Sequence, residues 1–265
     1  MLKIDRTEFK VVDCHTHGGP DYFDWWNKVI KTDEDFIAYL DKSGVDLAIV
    51  QSGIKGLKAE TKEDLLSANE FVFEFCRKHP KKYFPSVNIN PKHRFESETL
   101  LKKAKAAGVV WVGELCGYLG GYAYDTEEFK VVMDVIADLD MIAQIHAETN
   151  EMAFLLERYH KTVFILPHPG AGKKEIDGRI ELAVKHKNLY LDLCGYGADR
   201  IGNIEEMVDK LGDERILFGS DFTINDPGVV IARIKNSKIS EVSKEKILGL
   251  NTLHLLKSKG LNFLI

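Results

Sequence analysis

The chain has 265 residues, of which 45% are hydrophobic and 29% are charged, and its formal net charge is −5. This length is sufficient for a large hydrophobic core, and the composition is that of an ordinary globular protein. Because the charge balance is negative, the chain offers no basic field that would attract a nucleic acid or an anionic lipid. The sequence therefore argues against a protein that binds the DNA backbone.

The N-terminal stretch MLKIDRTEFKVVDC lacks the apolar core of a secretory signal. No segment approaches the roughly 20 apolar residues that a membrane span requires. The four cysteines, Cys14, Cys76, Cys116 and Cys194, lie far apart and form no C-x-x-C pair. We therefore expect reduced thiols, a cytoplasmic location and no membrane partner.

Eight short apolar runs, typical of buried strands, alternate with helical patterns along the chain. The runs cover residues 10–13, 47–50, 83–87, 109–112, 141–145, 163–166, 189–193 and 215–218. Between them, Gly44 and Gly108 stand where helices are expected to end, and Thr126 stands where one is expected to begin. This alternation is typical of an α/β protein with a parallel sheet.

Eight strand–helix units in a chain of this length predict a closed (β/α)₈ barrel, the TIM barrel. The competing architecture is a doubly wound open sheet, but neither G-x-G-x-x-G nor G-x-x-x-x-G-K-[ST] is present to support it. No low-complexity linker interrupts the pattern. We therefore expect one domain over residues 1–265, ending in a helical tail, SKISEVSKEKILGLNTLHLLKSKG.

Catalytic groups of a TIM barrel lie at the carboxyl ends of its strands. Six candidate residues follow the apolar runs at that end: His15, His17, Glu114, His146, His168 and Asp221. His15 and His17 are two positions apart, so on a strand both side chains project to the same side. One divalent ion can then bind both nitrogens, while His146 and Asp221 complete the ligands and leave a position for water.

Each candidate also has a simpler explanation. A single histidine at a strand end is more often a loop residue, Asp221 fits a helix N-cap, and Glu114 fits a buried ion pair. The coincidence of all six at the same strand ends favours a metal site. Tyr118 and Arg200 also follow strands and are weaker candidates for substrate contact, Arg200 for a carboxylate or phosphate group. Packing for Tyr118 and a solvated position for Arg200 are the more common roles.

The ordered segments VVDCHTHGG, QIHAE, ILPHPG, ILFGSDF and ILGLNTLHLL resemble the metal-dependent amidohydrolase superfamily. The resemblance is to the amidohydrolase-related branch, which includes aminocarboxymuconate semialdehyde decarboxylase, resorcylate decarboxylases and lactone hydrolases. It covers nearly the whole chain and implies a (β/α)₈ barrel that holds a divalent metal, usually zinc. By motif position it implies His15, His17, His146 and Asp221 as ligands, and His168 as a ligand of a second ion or a catalytic imidazole.

Glu114 departs from the simplest one-ion pattern of this branch. Related two-ion enzymes place a carboxylated lysine or a glutamate at the end of the fourth strand, so Glu114 leaves both one and two ions open. The surrounding segment VGELCGY is also similar to TatD-type deoxyribonucleases. Against that similarity, ILFGSDF does not match the nuclease pattern and the chain is acidic.

We expect a metal-dependent hydrolase that cleaves a C–O or C–N bond of a small ester, lactone or amide with metal-activated water. Asp221 would transfer the water proton, and His168 would polarise the carbonyl group. The alternatives are a metal-dependent non-oxidative decarboxylase on the same site, a TatD-like phosphodiesterase or nuclease, and a non-catalytic metal-binding barrel. The aromatic segments DYFDWW and FVFEFC are candidates for a homo-oligomer interface, although burial under the barrel helices explains FVFEFC equally well.

Overall fold

The computed structural model of the protein describes residues 10–19 and 28–261. Its eight strands form one parallel sheet in chain order, which confirms the predicted (β/α)₈ barrel. The strands are β1 (Val12–Gly18), β2 (Leu47–Ser52), β3 (Tyr83–Val87), β4 (Trp111–Cys116), β5 (Ile142–His146), β6 (Phe164–Leu166), β7 (Leu189–Asp192) and β8 (Ile216–Leu217).

The barrel closes where β8 and the segment after it meet β1. Cys14 N donates to Phe218 O at 2.9 Å, and Asp221 N donates to His15 O at 2.8 Å. Thr16 forms a parallel bridge with Phe222. These bonds place the segment after β8 directly beside the two histidines of β1.

The helices follow the strands in the expected alternation. They are α1 (Asp33–Ser43), α2 (Ile54–Lys58), α3 (Lys62–Lys78), α4 (Arg94–Ala106), α5 (Gly117–Gly120), α6 (Glu127–Asp138), α7 (Thr149–Arg158), α8 (Lys173–Lys185), α9 (Asn203–Leu211), α10 (Pro227–Lys235), α11 (Glu241–Glu245) and α12 (Asn251–Ser258). A 3₁₀ turn at Pro91–His93 precedes α4, and a π-helical segment, Lys246–Leu250, joins α11 to α12. None of the described helices is both long and apolar enough to cross a membrane.

Local sequence signals account for several helix ends. Thr126 accepts a hydrogen bond from Phe129 N at the start of α6, as predicted. Thr32 and Thr61 begin α1 and α3 with capping boxes completed by an aspartate three residues later. Gly44 ends α1 in the left-handed conformation, at a φ of 81°.

The apolar residues of the strands separate into two layers. One layer faces the surrounding helices and joins the large core that includes Phe36, Leu40 and Phe129. The other fills the barrel interior, where Trp111 packs with Ile49 and with residues of four further strands. Helix α12 packs against β1 and β8, and its Leu255 and Leu256 contact the interior layer.

The predicted strands β1 and β4 end too early at the carboxyl end of the barrel. The first apolar run ends at residue 13, but β1 continues to Gly18 and therefore contains His15 and His17. The fourth run ends at residue 112, whereas β4 continues to Cys116 and contains Glu114. The interior of the barrel is polar at this end, so the apolar pattern stops before the backbone pairing does.

The two aromatic segments have different outcomes. DYFDWW, residues 21–26, lies outside the described residues. FVFEFC, residues 71–76, lies in α3, where Val72, Phe75 and Cys76 are buried in the core. This position agrees with burial under the barrel, and the homo-oligomer stays a prediction.

We predict that Phe129→Ala lowers the free energy of unfolding by about 3–5 kcal/mol. Phe129 is fully buried, and its ring lies 5.0 Å from that of Tyr124 and 5.8 Å from that of Tyr122. The matched control is Phe95→Ala, because Phe95 is 75% exposed and its loss should change stability by no more than about 0.5 kcal/mol. Urea denaturation followed by circular dichroism measures both values, and equal effects of the two changes would contradict the packing described here.

Candidate metal centre

The six candidate ligand residues lie together at the carboxyl end of the barrel. Three groups of side chains have ligand atoms within 4.8 Å of one another: two consist of these candidates, and the third is His15, Asp192 and Cys194. We name His15, His17 and Asp221 the first ligand set, and Glu114, His146 and His168 the second ligand set. Five of the six side chains are buried, and His146 is partly exposed.

The strand pairing of β1 and β4 is irregular at the candidate ligand residues. The register of β1 against β2 shifts between Asp13 and Thr16, around His15. The register of β4 against β5 shifts between Val112 and Leu115, around Glu114. Such irregularities redirect side chains and are common beside active sites.

In the first ligand set, the Nε2 atom of His15 faces the Nε2 atom of His17. His15 Nδ1 lies 2.7 Å from Asp192 Oδ2, and His17 Nδ1 lies 2.9 Å from the carbonyl oxygen of Ser52. A carboxylate and a carbonyl only accept hydrogen bonds, so both Nδ1 atoms carry the proton. In the neutral rings both Nε2 atoms then carry lone pairs, and these atoms are only 3.0 Å apart.

Two carboxylate oxygens face the same pair of nitrogens. Asp221 Oδ1 lies 3.6 Å from His15 Nε2 and 3.3 Å from His17 Nε2. Glu114 Oε2 lies 3.7 and 3.9 Å from the same two atoms. Four acceptors thus converge in a buried place, a donor arrangement that a divalent cation would satisfy. Imidazole and carboxylate donors suit zinc and manganese.

The second ligand set is built around the other oxygen of Glu114. Glu114 Oε1 lies 3.2 Å from His146 Nδ1 and 3.5 Å from His168 Nε2. One oxygen of Glu114 therefore faces each ligand set.

The electrostatics of the centre favour a charged Glu114 and a positive charge opposite it. Burial opposes ionisation of Glu114, but His15, His146 and His168 hold its pKa well below the usual value. Burial also opposes a charge on His15, but Glu114 and the hydrogen bond to Asp192 raise its pKa well above the usual value. Either a proton or a metal ion supplies the positive charge that these acceptors require.

Two ligands sit in backbone conformations that L-residues rarely adopt. His168 and Asp221 both have a φ of 62°, in the left-handed region. Such a residue costs roughly 1–3 kcal/mol and is typical of functional sites. Gly195 packs against the His168 ring, and a Cβ at that position would overlap Nδ1 of the imidazole.

Asp13 fixes the contact between the two segments that carry the first ligand set. Its carboxylate accepts hydrogen bonds from Ser220 N at 3.0 Å, Ser220 Oγ at 2.5 Å and His15 N at 3.0 Å. Burial raises the pKa of Asp13 to about 7, although these hydrogen bonds favour the charged form.

Buried side chains also hold the backbone beside the second ligand set. Arg179 donates to the carbonyl oxygens of Pro167, His168 and Ala147, and it pairs with Glu175 at 2.6 Å. The hydroxyl of Tyr124 donates to His146 O at 2.6 Å.

A layer of buried polar side chains lies below the ligand sets, and the sequence reasoning missed most of it. Gln144 Nε2 donates to Asp192 Oδ2 at 3.0 Å, and Gln51 Nε2 donates to Gln144 Oε1 at 2.6 Å. Gln51 also accepts from Glu114 N. Asp192 lies inside the predicted run 189–193 and is the last residue of β7, so it lacked the position after the run that identified Glu114 and Asp221.

The two candidate substrate contacts have different positions. The Tyr118 ring lies 5.1 Å from that of His146 and is 68% exposed, so it borders the site. Arg200 is exposed and pairs with Asp199 at 3.6 Å. Among the described contacts, none joins Arg200 to either ligand set, and its role in substrate binding stays a prediction.

The amidohydrolase family model matches residues 12–257. The chain belongs to the amidohydrolase family. It is therefore an enzyme of the amidohydrolase superfamily, and the resemblance predicted from its motifs is confirmed. A search of curated proteins found no match.

Solved structures share the fold at low sequence identity. A 2,6-dihydroxybenzoate decarboxylase from Rhizobium has a TM-score of 0.76 at 16% identity, with 96% of this chain and 100% of that chain covered. A dihydroxybenzoic acid decarboxylase from Polaromonas sp. JS666, with bound manganese and the inhibitor 2-nitroresorcinol, has a TM-score of 0.74 at 15% identity, covering 96% and 98%. A probable 2-pyrone-4,6-dicarboxylic acid hydrolase from Acinetobacter baumannii, with citric acid bound, has a TM-score of 0.69 at 15% identity, covering 94% and 99%.

We predict that a divalent ion stabilises the protein through the first ligand set. After treatment with a chelator, saturating Zn²⁺ or Mn²⁺ should raise the Tm by about 5 °C or more, because the ion binds only the folded state. His17→Ala should remove most of this rise, whereas His160→Ala, which changes an exposed histidine, should retain it. Differential scanning fluorimetry measures the shifts. An undiminished rise in His17→Ala would place the ion elsewhere.

Proposed function

We propose that the protein is a hydrolase that uses two divalent cations to cleave a small ester, lactone or amide. The two carboxylate oxygens of Glu114 are the observation that supports two ions. Oε2 faces His15 and His17, while Oε1 faces His146 and His168. The first ion would be held by His15, His17, Asp221 and Glu114. The second would be held by Glu114, His146 and His168.

The donors support Zn²⁺ as the first candidate, and Mn²⁺ is the second because a structural relative binds manganese. Bound at this site, divalent cations would supply a Lewis acid for the substrate carbonyl and lower the pKa of water. The remaining chemistry belongs to the side chains of the chain itself.

Asp221 is the proton carrier of the proposal. Its Oδ1 faces His15 and His17, and its Oδ2 accepts a hydrogen bond from Asn225 at 3.3 Å. Oδ2 is therefore the atom that takes the proton of the attacking water and passes it to the leaving oxygen or nitrogen. The left-handed backbone at Asp221 holds the carboxylate in this position.

His168 has two roles that depend on the number of ions. If both ions were held, its Nε2, which lies 3.5 Å from Glu114 Oε1, would be a ligand of the second ion. With only the first ligand set filled, the same nitrogen faces the site as a catalytic imidazole that donates to the substrate carbonyl oxygen. Tyr118, beside His146, would border the bound substrate.

Non-oxidative decarboxylation is the second candidate. The fold likeness to two dihydroxybenzoate decarboxylases, over nearly the full length of each chain, is the observation that favours it. The same residues would then orient a substrate carboxylate. The proposal of hydrolysis rests on Glu114, so the number of bound ions separates the two candidates.

We predict that the purified wild-type protein contains two equivalents of zinc or manganese and that Glu114→Gln contains one. The amide of glutamine lacks the charge needed to bridge two cations. Glu157→Gln, which removes an exposed carboxylate, should keep two equivalents. Elemental analysis by plasma mass spectrometry measures the content. One equivalent in both the wild type and Glu114→Gln would favour the decarboxylase.

We also predict that Asp221→Asn abolishes turnover and leaves the circular dichroism spectrum unchanged, because an amide cannot accept the water proton. The wild-type reaction would be screened with esters, lactones and amides in ¹⁸O-labelled water, and with carboxylated aromatic compounds for release of CO₂. ¹⁸O in the organic product supports hydrolysis. Release of CO₂ with no ¹⁸O in the organic product supports decarboxylation. Substantial activity in Asp221→Asn would exclude its role in proton transfer.

A further inference from the structure

Asp192 is a buried carboxylate that the proposed mechanism does not use. It is the last residue of β7, and it is fully buried. Its Oδ2 lies 2.7 Å from His15 Nδ1 and accepts from Gln144 Nε2 at 3.0 Å, while its Oδ1 accepts from Cys194 N at 3.0 Å. It therefore contacts the first ligand set through His15 alone.

We propose that Asp192 is the positioning residue that prepares His15 to bind the first cation, and that its loss weakens the first ligand set selectively. This inference rests on the proposed function, because it assumes a cation at His15. Asp192 holds the proton on Nδ1 and so leaves the lone pair on Nε2, the atom that faces His17 and Asp221. A carboxylate in this position also increases the basicity of the imidazole.

The asymmetry between the two histidines of β1 makes the proposal specific. His17 has the same orientation, but its Nδ1 donates to the backbone carbonyl of Ser52, which no side-chain substitution removes. Gln144 Nε2 and Cys194 Sγ also lie 3.0 and 3.1 Å from His15 Nδ1, but Asp192 is the charged acceptor at this atom. Its substitution can therefore change the tautomer of His15 while His17 keeps its own.

An asparagine cannot replace Asp192 without a mismatch. Both oxygens of Asp192 accept from donors, so either orientation of the amide would place its NH₂ group against Cys194 N or against His15 and Gln144. The carboxylate also has no room to move away, because it packs directly against Gly219, where a Cβ would overlap Oδ1.

The effect should not spread to Glu114 and His146. Gln144 is held independently of Asp192, since Trp111 Nε1 and Gln51 Nε2 donate to its Oε1 at 2.8 and 2.6 Å. Gln51 in turn keeps its contact with Glu114 N. His168 is closer to the change, because Cys194 donates its N to Asp192 and places its Sγ 3.3 Å from His168 Nδ1.

The test compares Zn²⁺ binding to the wild type, Asp192→Asn and Asp46→Asn by elemental analysis and by competition with a chelator. Asp46→Asn is the matched control, because Asp46 also binds β1, at the opposite end, through Val11 N at 2.8 Å. We expect Asp192→Asn to bind one of two ions about 10–100-fold more weakly. We expect Asp46→Asn to bind as the wild type does.

Long-range ¹H–¹⁵N spectra of the histidine rings identify the site affected. Added Zn²⁺ should still shift the signal of His146, which has no described contact with Asp192 or Cys194, at concentrations that no longer shift His15 in Asp192→Asn. Unchanged affinity, or equal weakening at both sites, would overturn the proposal.

The zinc-loaded wild type gives a test that does not depend on folding of the variant. Its His15 should carry the proton on Nδ1, and a proton on Nε2 would overturn the proposal as well. A wild type that binds no Zn²⁺ would refute the proposed function itself. This result is obtained from the wild type alone, so it is distinguished from a failure of the proposal about Asp192.

Discussion

The candidate metal centre depends on the contact between β1 and the segment that follows β8. Strand β8 has only two residues, so little of this contact comes from regular pairing. The Asp13 carboxylate binds Ser220 and His15 together, and Asp221 N donates to His15 O. Because Asp221 is the next residue after Ser220, these bonds bring its carboxylate against the two histidines. Burying Asp13 is unfavourable, as its raised pKa shows, and the structure accepts that cost at the point where the first ligand set is assembled.

Charge balance connects the two ligand sets. Glu114 is kept ionised by the imidazoles on both sides, and His15 is driven toward its charged form by the carboxylates around it. A buried group of this kind is stable only with compensating positive charge. Protons on the histidines and bound cations compete for the same acceptors, so cation binding is coupled to proton release.

The sequence predicted the barrel and all six residues that the structure brings together, because both have local signals. Buried parallel strands appear in the sequence as apolar runs. Polar residues that follow these runs at the carboxyl end indicate a candidate functional site. His15, Glu114 and Asp221 were found in this way. Gln144 was harder to place, because an amide inside an apolar run gives no indication of which face of the strand it occupies. The left-handed backbone at His168 and Asp221 also has no local signal, since neither residue is a glycine and tertiary contacts impose the conformation.

Glu114 is the residue that connects the geometry to the choice of reaction. A carboxylate that only formed an ion pair with one imidazole would not need an oxygen in each ligand set. The backbone of β4 is irregular where this side chain turns inward, and Gly113, at a φ of 118°, lies against Gln144 O with no room for a Cβ. The barrel is shared by relatives that carry out different reactions, so the fold itself does not determine the chemistry. The local distortion of β4 places one carboxylate between the two ligand sets, and the proposal of two ions rests on this arrangement.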